Sequence, residues 1–545
     1  MKKICSFLLI GLLLCGCAAP AVPEATATAP TQETLPVLRD TSEIPYESQY
    51  DSETVIRLVD VGMDITGPNS LTVFASHDII YYEDKDVYES GNPYGEGEAS
   101  DKHSAEEAEK HYVVNITKPG AYRITGKLSY GQIRVDLGED AYDDESAVVE
   151  LILDDADITC TVAPAILFQN VYECDGNWSE DTARPDVDTS AAGANLILQG
   201  ENTVTGSHVA KIFKDKDGEK KLWKQDGAIY SYMSMNVFGP GKLTLNADNE
   251  GMDTELHLTL NGGDITILSG NDGINTNEDN VSVTTINAGS LHIVAGLGAE
   301  GDGIDSNGYL VINGGTVISA AKPMADSGLD SDKGSFIHGG TVVAFGAAMD
   351  WAESDSNQVT MNLQFSQHQT GPLEITREDG TAVFSFDPSA DPVLKDYNRG
   401  FQGAVISTPA FRLGDSYSVS SGGNRMMYTS TDVMGHRPGG FGGQMPPEGF
   451  EPPEGFGGFE GKQPPEGFEG EMPTRPEGEE PHAPGSFGPS RPEMPEGQMP
   501  PEGFEGQTPP GGFGGPGDEI PAGAGQTVFY MQDKVNFFSG LTAAE

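Results

Sequence analysis

The sequence predicts an all-β solenoid in which short strands stack in successive coils, and two repeated motifs support this prediction. Between residues 226 and 346 a first motif, usually an acidic residue and a glycine before apolar and polar residues, occurs five times. A second motif, a pair of small residues before a strand, alternates with it. A repeat of roughly 25 residues with short strands and regularly placed glycines is typical of stacked β-coils. Helical repeats would need apolar residues at a spacing of 3.6 and far less glycine.

Each motif is recognisable in the printed sequence. The copies of the first are Asp226-Gly227-Ala228-Ile229, Glu250-Gly251-Met252-Asp253-Thr254, Asp272-Gly273-Ile274-Asn275-Thr276, Asp302-Gly303-Ile304-Asp305-Ser306 and Ser327-Gly328-Leu329-Asp330-Ser331. The copies of the second are Gly239-Pro240-Gly241-Lys242-Leu243, Gly262-Gly263-Asp264-Ile265, Ala288-Gly289-Ser290-Leu291, Gly314-Gly315-Thr316-Val317 and Gly339-Gly340-Thr341-Val342.

Stacking places each strand against its equivalent one coil away, at about 4.8 Å. The apolar residues expected to form interior columns are Ile265, Ile267, Leu291, Ile293, Val317 and Val342. The glycines are expected at corners that need a positive φ or a close backbone approach. Asn261, Asn287 and Asn313 occupy one position of the repeat and predict an inward ladder of amides. His338 takes that position in the last copy and marks the approach to the end of the stack.

Composition divides the rest of the chain. The expected segments are a lipoprotein signal peptide at 1–16, a disordered Pro/Ala/Thr linker at 17–45, N-terminal strands and a cap at 46–111, the repeat domain at 112–350, a C-terminal β cap at 351–434, a low-complexity segment at 435–517 and a returning strand at 518–545. The segment 435–517 repeats Pro-Pro-Glu-Gly-Phe and is expected to be disordered, because such a composition buries too little apolar surface to fold. Its phenylalanines could alternatively contact a cell wall or a protein partner.

Charge and the N-terminus indicate the compartment and exclude one class of partner. The formal net charge of −53 argues against nucleic acid, whose binding needs a basic surface, and suits metal cations or an exposed soluble protein. Lys2, Lys3 and the apolar residues 4–14 form a signal sequence that is short for a membrane span. It ends in Leu14-Cys15-Gly16-Cys17, which resembles the bacterial lipobox. By that resemblance Cys17 carries a lipid and anchors the chain on the extracytoplasmic face of the membrane; an ordinary signal peptide cut near Ala18 is the alternative.

Two further cysteines, Cys160 and Cys174, remain in the exported chain. They could form a disulfide in an oxidising compartment or stay as two buried free thiols.

The first motif stacks into acidic columns. Asp226, Glu250, Asp272 and Asp302 share one corner position, and a second column three residues later is formed by Asp253, Asn275, Asp305 and Asp330. Carboxylates one coil apart repel each other unless a cation bridges them or a proton binds. Calcium accepts six to eight oxygens of mixed kinds, which these turns supply in number. The sequence therefore predicts bound calcium, with solvated acidic turns as the alternative.

A catalytic site is not supported by the sequence. The pair Asp302 and Asp305 could serve glycoside hydrolysis, but the same pair recurs in every coil, as structural residues do. A pectate-lyase mechanism needs a strong base, in that family an arginine, and residues 226–346 contain no arginine. His257, His292 and His338 are expected to pack or lie at the surface. The protein is therefore expected not to be an enzyme.

The repeated Asp-Gly-Ile-Asn/Asp-Ser/Thr and Asn-Gly-Gly-Thr/Asp motifs, with the preceding Ile116-Thr117-Lys118-Pro119-Gly120-Ala121-Tyr122 and Gln132-Ile133-Arg134-Val135, resemble the bacterial secreted carbohydrate-binding-domain family. The resemblance covers roughly residues 112–346 and extends over the cap to about Val419. It implies a right-handed parallel β-helix like that of pectate lyases, polysaccharide binding without catalysis, and calcium sites. Matched to the repeated corners, the candidate calcium residues are Asp253, Asp272, Asn275, Asp302, Asp305, Asp330 and Asp332. Ala228 and Ser327 depart from the motif, which weakens the first and last copies.

Sugar binding usually uses aromatic faces beside polar groups. Tyr230, Tyr232, Tyr309 and Trp351 lie at or just after corners and could form such a strip, with packing at strand edges as the alternative. Lys322 or Lys333 could contact a uronate.

Together these observations predict a monomeric surface lipoprotein that binds acidic, pectin-like or cellulose-like polysaccharide through a calcium-bearing β-helix and touches the membrane only by its lipid. The alternatives are a structural or adhesive cell-surface scaffold and, third, a polysaccharide lyase.

Overall fold

The computed structural model describes residues 38–60, 62–83, 97, 99–176, 181–214, 220–323, 325–347, 350–431 and 525–544. The chain divides into two units, Met1–Pro36 and Val37–Glu545, and all described residues belong to the second. The expected signal peptide with Cys17 and the low-complexity segment 435–517 lie outside the described residues. Within the described ranges, no helix is both long and apolar enough to cross a membrane.

The described residues form an all-β protein with large sheets of mixed strand direction and almost no helix. One short α-helix, α1 (Ala105–Ala108), and the 3-10 turns Ala141–Asp143 and Leu394–Asp396 are the helical segments among them. The N-terminal strands are β1 (Glu53–Val59), β2 (Gly62–Thr66), β3 (Val73–Ser76), β4 (Tyr112–Ile116), β5 (Gly120–Leu128), β6 (Gly131–Asp136), β7 (Val149–Thr159), β8 (Ile166–Asn170), β9 (Ala194–Gln199), β10 (Glu201–Gly206), β11 (Val209–Lys214) and β12 (Lys220–Gln225).

The repeated region and the C-terminal region supply the other strands. In the repeats they are β13 (Gly227–Ser231), β14 (Met235–Phe238), β15 (Lys242–Ala247), β16 (Glu250–Thr254), β17 (Leu258–Leu260), β18 (Asp264–Ser269), β19 (Ile274–Thr276), β20 (Val283–Ile286), β21 (Ser290–Val294), β22 (Ile304–Ser306), β23 (Tyr309–Ile312), β24 (Thr316–Ala320), β25 (Gly334–Ile337) and β26 (Thr341–Gly346). After them come β27 (Thr360–Gln369), β28 (Leu373–Arg377), β29 (Ala382–Phe386), β30 (Phe401–Ser407), β31 (Ser416–Ser421), β32 (Asn424–Met427), β33 (Phe529–Tyr530) and β34 (Val535–Ala543).

Strands of successive coils pair in parallel in three stacks. The first stack is β4, β6, β8, β13, β16, β19 and β22. The second is β9, β14, β17, β20, β23 and β25. The third is β10, β15, β18, β21, β24 and β26. Each strand meets its equivalent one repeat later, so the motif spacing becomes the register of the sheets.

The interior of the stacks is apolar, as the alternation predicts. Ile265, Leu291, Val317 and Val342 pair in register in the third stack and are at most 3% exposed. Their equivalents in the other stacks, such as Ile274 and Ile312, are fully buried. Columns of branched side chains therefore form one continuous core along the repeats.

The corner glycines and the amide ladder are also present. Gly263, Gly289, Gly315 and Gly340 have φ between +78° and +94°. The Nδ2 group of Asn287 donates to Asn261 Oδ1 at 2.8 Å, and Asn313 Nδ2 donates to Asn287 Oδ1 at 2.9 Å. Asn261 is buried whereas Asn313 is exposed, so the ladder follows a corner and reaches the surface instead of staying inside.

The C-terminal region covers the third stack in two ways. Strand β30 pairs antiparallel with β26, and β27 pairs with both β30 and β34, which protects the open edge of the stack. A second apolar core, which includes Phe345 and Phe401 stacked at 4.4 Å, joins this region to the outer face of the third stack. The cap therefore packs beside the coils as well as across their end.

The segment before β1 packs against the repeats. The backbone N–H of Ile44 donates to Asn261 O at 2.7 Å, and that of Asp40 donates to Ser290 Oγ at 2.8 Å. The ring of Tyr46 lies 4.6 Å from that of Phe238. Contact with the coils thus begins before residue 45, where the end of the disordered linker was expected.

In the structure Cys160 and Cys174 are free thiols and form no disulfide with each other. Burial raises the pKa of the Cys160 thiol to about 12, which makes it unreactive at neutral pH.

Candidate functional site

The candidate site lies on the outer side of the first stack, where the acidic residues of the first motif meet. The register aligns Tyr230, Asp253, Asn275 and Asp305 in one column. In the other column Glu250 pairs with Gly227. The glycine spacing predicted that Asp226 and Glu250 share a column, but in the structure Asp226 lies one residue before the partner of Glu250. The offset arises because strands β13 and β16 are 23 residues apart, one less than their glycines.

Three carboxylates form a compact cluster at this point, which we call the carboxylate cluster: Asp226, Glu250 and Asp253. One oxygen from each of the three side chains lies within 4.8 Å of the other two. Glu250 is 5% exposed and Asp253 is fully buried, although both lie on the side of the strands away from the apolar interior. Burying like charges this closely is costly unless a cation or protons compensate them.

Three buried oxygens beside the cluster have no hydrogen-bond donor among the described residues: Glu250 Oε2, Asp253 Oδ2 and Asn275 Oδ1. The opposite Asn275 atom, Nδ2, donates to Glu250 Oε1 at 3.1 Å, which fixes the orientation of the amide. Buried polar atoms are almost always paired, so three unpaired acceptors on the two neighbouring strands β16 and β19 indicate a missing positive partner. Carboxylate and amide oxygens are the ligands that calcium prefers, and the residues present therefore fit that ion.

Lys224, next to the cluster at the end of β12, is a resident positive charge. Its Nζ lies 3.2 Å from Asp226 Oδ2 and donates to Asn277 Oδ1 at 2.7 Å. Burial opposes the charged lysine, but Asp226 and Asp253 with other carboxylates hold its pKa well above the usual value. One lysine cannot balance three carboxylates. Burial and then repulsion from Glu250 accordingly raise the pKa of Asp253 well above its usual value.

The remaining acidic candidates extend along the same face. Asp272 Oδ1 accepts from the backbone N–H of Asp302 at 2.7 Å, and Asp302 Oδ1 accepts from that of Ser327 at 2.5 Å. These two carboxylates therefore tie one coil to the next. Burial is the main cause that raises the pKa of Asp302 to about 7 and that of Asp305 to about 8, and Asp330 adds repulsion to both.

The sequence-predicted set of metal residues is thus only partly brought together. Asp253 and Asn275 lie at the carboxylate cluster, whereas Asp272, Asp302, Asp305 and Asp330 continue the columns beyond it, and Asp332 is exposed. Glu250 and Asp226 belong to the cluster but were absent from the set. Both occupy the acidic position of the first motif, so the motif itself carried the signal. Lys224 lies before the motif, and no sequence pattern predicted that it belongs to the site.

The expected aromatic strip is wrong for two of its four residues. Tyr230 is fully buried and its hydroxyl donates to Glu255, and Trp351 is 7% exposed. Neither can offer a ring face to a sugar. Tyr232 is half-buried and packs edge-on against Tyr230 at 5.1 Å. Tyr309 is half-buried at the start of β23 in the second stack, whereas Tyr230 and Tyr232 lie at or just after the end of β13 in the first stack.

The two lysines expected near a uronate are already engaged. Lys322 Nζ donates to the backbone carbonyl of Gly298 at 2.8 Å, and Lys333 Nζ pairs with Asp181 at 3.1 Å.

The histidines have separate surroundings. His257 is 2% exposed and its Nε2 lies 3.3 Å from buried Asp175 Oδ2. His292 Nε2 lies 3.0 Å from Asp391 on the C-terminal region. These contacts hold the two side chains in packing positions, in agreement with the sequence analysis.

Comparison with known proteins shows which family the repeats resemble. Residues 110–370 match the model of a family described as "Carbohydrate-binding domain-containing protein". Over 155 residues the chain is 30% identical to a protein of that description from Acetivibrio thermocellus, an alignment of 28% of this chain and 44% of the relative. The chain thus spans less than half of the length of this curated relative. These matches support the resemblance to a carbohydrate-binding family.

One similar solved structure is that of a polysaccharide lyase-like protein from C. thermocellum, a gadolinium derivative. It shares 22% identity with this chain, covers 53% of this chain and 94% of its own, and superposes with a TM-score of 0.33.

Proposed function

We propose that this protein is a non-catalytic, lipid-anchored surface protein that binds polysaccharide, and that calcium at the carboxylate cluster stabilises the coils that carry the binding face. The three parallel stacks are proposed to form a right-handed parallel β-helix. The family match over residues 110–370, which spans most of the described coils, supports carbohydrate as the ligand class.

The observation that carries the calcium proposal is the group of unpaired oxygens on Glu250, Asp253 and Asn275. A divalent ion at this point would bind these oxygens with Asp226 and offset the charge that Lys224 leaves uncompensated. It would supply structural charge compensation between coils, and no chemical step is assigned to it. The same carboxylate pattern recurs along the stack, which favours an architectural role over a catalytic pair.

The experiment that tests the function is retention of the purified chain on immobilised polygalacturonate and on cellulose, with calcium and with EDTA. We expect retention in calcium and weaker retention in EDTA. Retention on neither glycan would overturn polysaccharide binding and favour a scaffold role. Release of unsaturated sugar products from polygalacturonate would overturn the non-catalytic assignment. If EDTA leaves the retention unchanged, polysaccharide binding does not depend on calcium.

The membrane anchor has its own test. Cells that express the chain and grow with labelled palmitate are expected to label it, and the variant Cys17→Ala is expected to lose the label. A labelled variant would overturn the lipid anchor at Cys17.

A further inference from the structure

A row of aromatic rings lies on the outer face of the second stack near its last coils. Tyr309 and Phe336 point away from the interior, because they alternate with fully buried residues such as Ile312 and Ile337. Their ring centroids are 5.7 Å apart, and the ring of His338 lies 6.1 Å beyond Phe336 at an interplanar angle of 22°. All three rings are half-buried, so each keeps part of its surface for a ligand.

In earlier coils the equivalent outer face is covered by the chain itself. Thr189 Oγ1 lies 2.8 Å from both Asn236 Oδ1 and Thr259 Oγ1, on strands β14 and β17. In register with these residues the last coil carries Phe336. The outer face therefore changes from a polar, covered surface to an aromatic one along the stack.

Hydrogen-bonding groups flank the rings. Asn313 is exposed at the end of the amide ladder, and its Nδ2 donates to Asn287 Oδ1 at 2.9 Å. The Oδ1 atom of Asn313 therefore remains as an acceptor at the surface. His338 Nδ1 accepts from the backbone N–H of Asn357 at 3.2 Å, which puts the ring proton on Nε2. Burial and the nearby charge of Lys534 lower the pKa of His338, so the ring is a neutral donor at pH 7.

A positive charge stands at the same edge. Lys534 is exposed and its Nζ donates to Asn357 Oδ1 at 3.2 Å. Within the described ranges, no carboxylate oxygen forms an ion pair with it, in contrast to Lys242, Lys127 and Lys333. Acidic residues outnumber basic ones 84 to 31 in this chain, so a lysine that has no carboxylate partner among the described residues is available to an acidic ligand.

We propose that Tyr309, Phe336, His338, Asn313 and Lys534, which we call the ring strip, bind a uronic-acid polysaccharide. The rings contact the apolar faces of the sugars, as amphipathic aromatic surfaces do. Asn313 Oδ1 accepts a hydrogen bond from one sugar hydroxyl and His338 Nε2–H donates to another. Lys534 contacts a uronate carboxylate. This inference rests on the proposed polysaccharide binding and assigns its location and ligand class.

The test is affinity electrophoresis in calcium through gels that contain polygalacturonate or a neutral soluble β-glucan. The double variant Tyr309→Ala/Phe336→Ala is expected to weaken retardation by polygalacturonate about tenfold. Lys534→Gln is expected to weaken it about threefold, and less in the neutral gel, because it removes only the contact with the carboxylate. The matched control is Tyr130→Ala, a 49% exposed aromatic in the first coils, which is expected to behave as wild type.

The outcomes separate the two proposals. Wild-type binding that neither variant changes overturns the ring strip and leaves polysaccharide binding intact. Wild-type retardation only in the neutral gel overturns the uronic-acid assignment. No retardation in either gel overturns the ring strip together with the proposed function. Because Phe336 is half-buried, thermal unfolding of each variant is measured in parallel; if the double variant unfolds early, exposed Lys534→Gln decides the outcome.

Discussion

At the scale of single residues, the carboxylate cluster depends most on Asp253. This side chain is fully buried, one of its oxygens has no donor, and the other accepts from Asn277 Nδ2 at 2.5 Å. Its charge is favourable only if a cation is bound, since Glu250 repels it otherwise. The same residue is therefore expected to stabilise the calcium-bound protein and to destabilise the calcium-free one.

We predict that Asp253→Asn lowers calcium affinity at least about tenfold, equivalent to about 1.4 kcal/mol. In EDTA the variant is expected to unfold at the same temperature as wild type or higher, because a buried repelling charge is gone. Calcium titration followed by thermal unfolding checks both effects. Asp332→Asn, an exposed acid on the same face, is the matched control and should behave as wild type. An unchanged calcium response in Asp253→Asn would contradict the site.

Lys224 gives a second prediction of opposite sign. Lys224→Met removes the resident positive charge, so in EDTA the variant is expected to lose about 2 kcal/mol, less than a fully buried pair because the lysine is 31% exposed. With saturating calcium the loss should shrink, since the bound ion compensates the same carboxylates. Urea unfolding in both conditions measures it. An equal loss with and without calcium would show that Lys224 only packs.

At the scale of structural elements, the corners and the amide ladder set how closely the coils approach. A Cβ built on Gly289 would lie 2.6 Å from Gly263 O, in addition to the positive φ of +87°. Gly138 has φ +107° but no atom within 4 Å of such a Cβ. A comparison of alanine variants at Gly289 and Gly138 therefore distinguishes backbone strain from the close approach of neighbouring coils.

We predict that Gly289→Ala destabilises the protein by about 3 kcal/mol or more, through strain and clash together. Gly138→Ala is expected to cost only about 1 kcal/mol, because strain acts alone. Denaturant midpoints of the two variants check this. Equal losses would mean that the coils can separate at the corner.

The amide ladder has a graded prediction. Asn287→Ala removes two side-chain hydrogen bonds and is expected to cost about 2 kcal/mol, because its two neighbours lose their partners. Asn313→Ala removes one exposed bond and is expected to cost less than about 1 kcal/mol. Urea unfolding of both variants tests the order, and a larger loss for Asn313→Ala would contradict it.

At the scale of the whole molecule, the acidic columns make stability depend on pH. In the folded chain the pKa of Asp302 is about 7, that of Asp305 about 8 and that of Asp350 about 6, each raised mainly by burial from the usual 3.8. As pH rises above 4, the unfolded chain therefore releases these protons before the folded chain does. The free energy of unfolding must then fall with rising pH.

We predict that in EDTA the free energy of unfolding falls by a few kcal/mol between about pH 4 and pH 8. With saturating calcium the fall should be smaller, because the bound ion favours the ionised carboxylates. Urea unfolding at several pH values, with and without calcium, measures the difference. Parallel curves in the two conditions would contradict a link between calcium and these carboxylates.

Much of the repeated architecture could be predicted because each coil reuses the same local rules. Apolar alternation placed Ile265, Leu291 and Val317 in the interior, and the second motif placed positive φ at Gly289. The asparagine ladder followed from one repeated position. These features depend on residues one coil apart, and a period in the sequence reports them directly.

Other features depend on contacts that no period encodes. The offset of Asp226, the approach of Lys224 and the burial of Tyr230 arise where β12 meets the first stack. The ring strip likewise combines Tyr309 and Phe336 with Lys534, which lies 225 and 198 residues further along the chain and reaches them through the pairing of β27 and β34.

The sequence by itself thus determined the repeating β-coils, their corners and the acidic face, because those are set by the chemistry of each copy. Only the tertiary structure decided which oxygens of that face are buried without a donor, which aromatics stay accessible, and which lysine stands beside them. Burial and long-range packing control these properties, and both depend on segments outside the repeat.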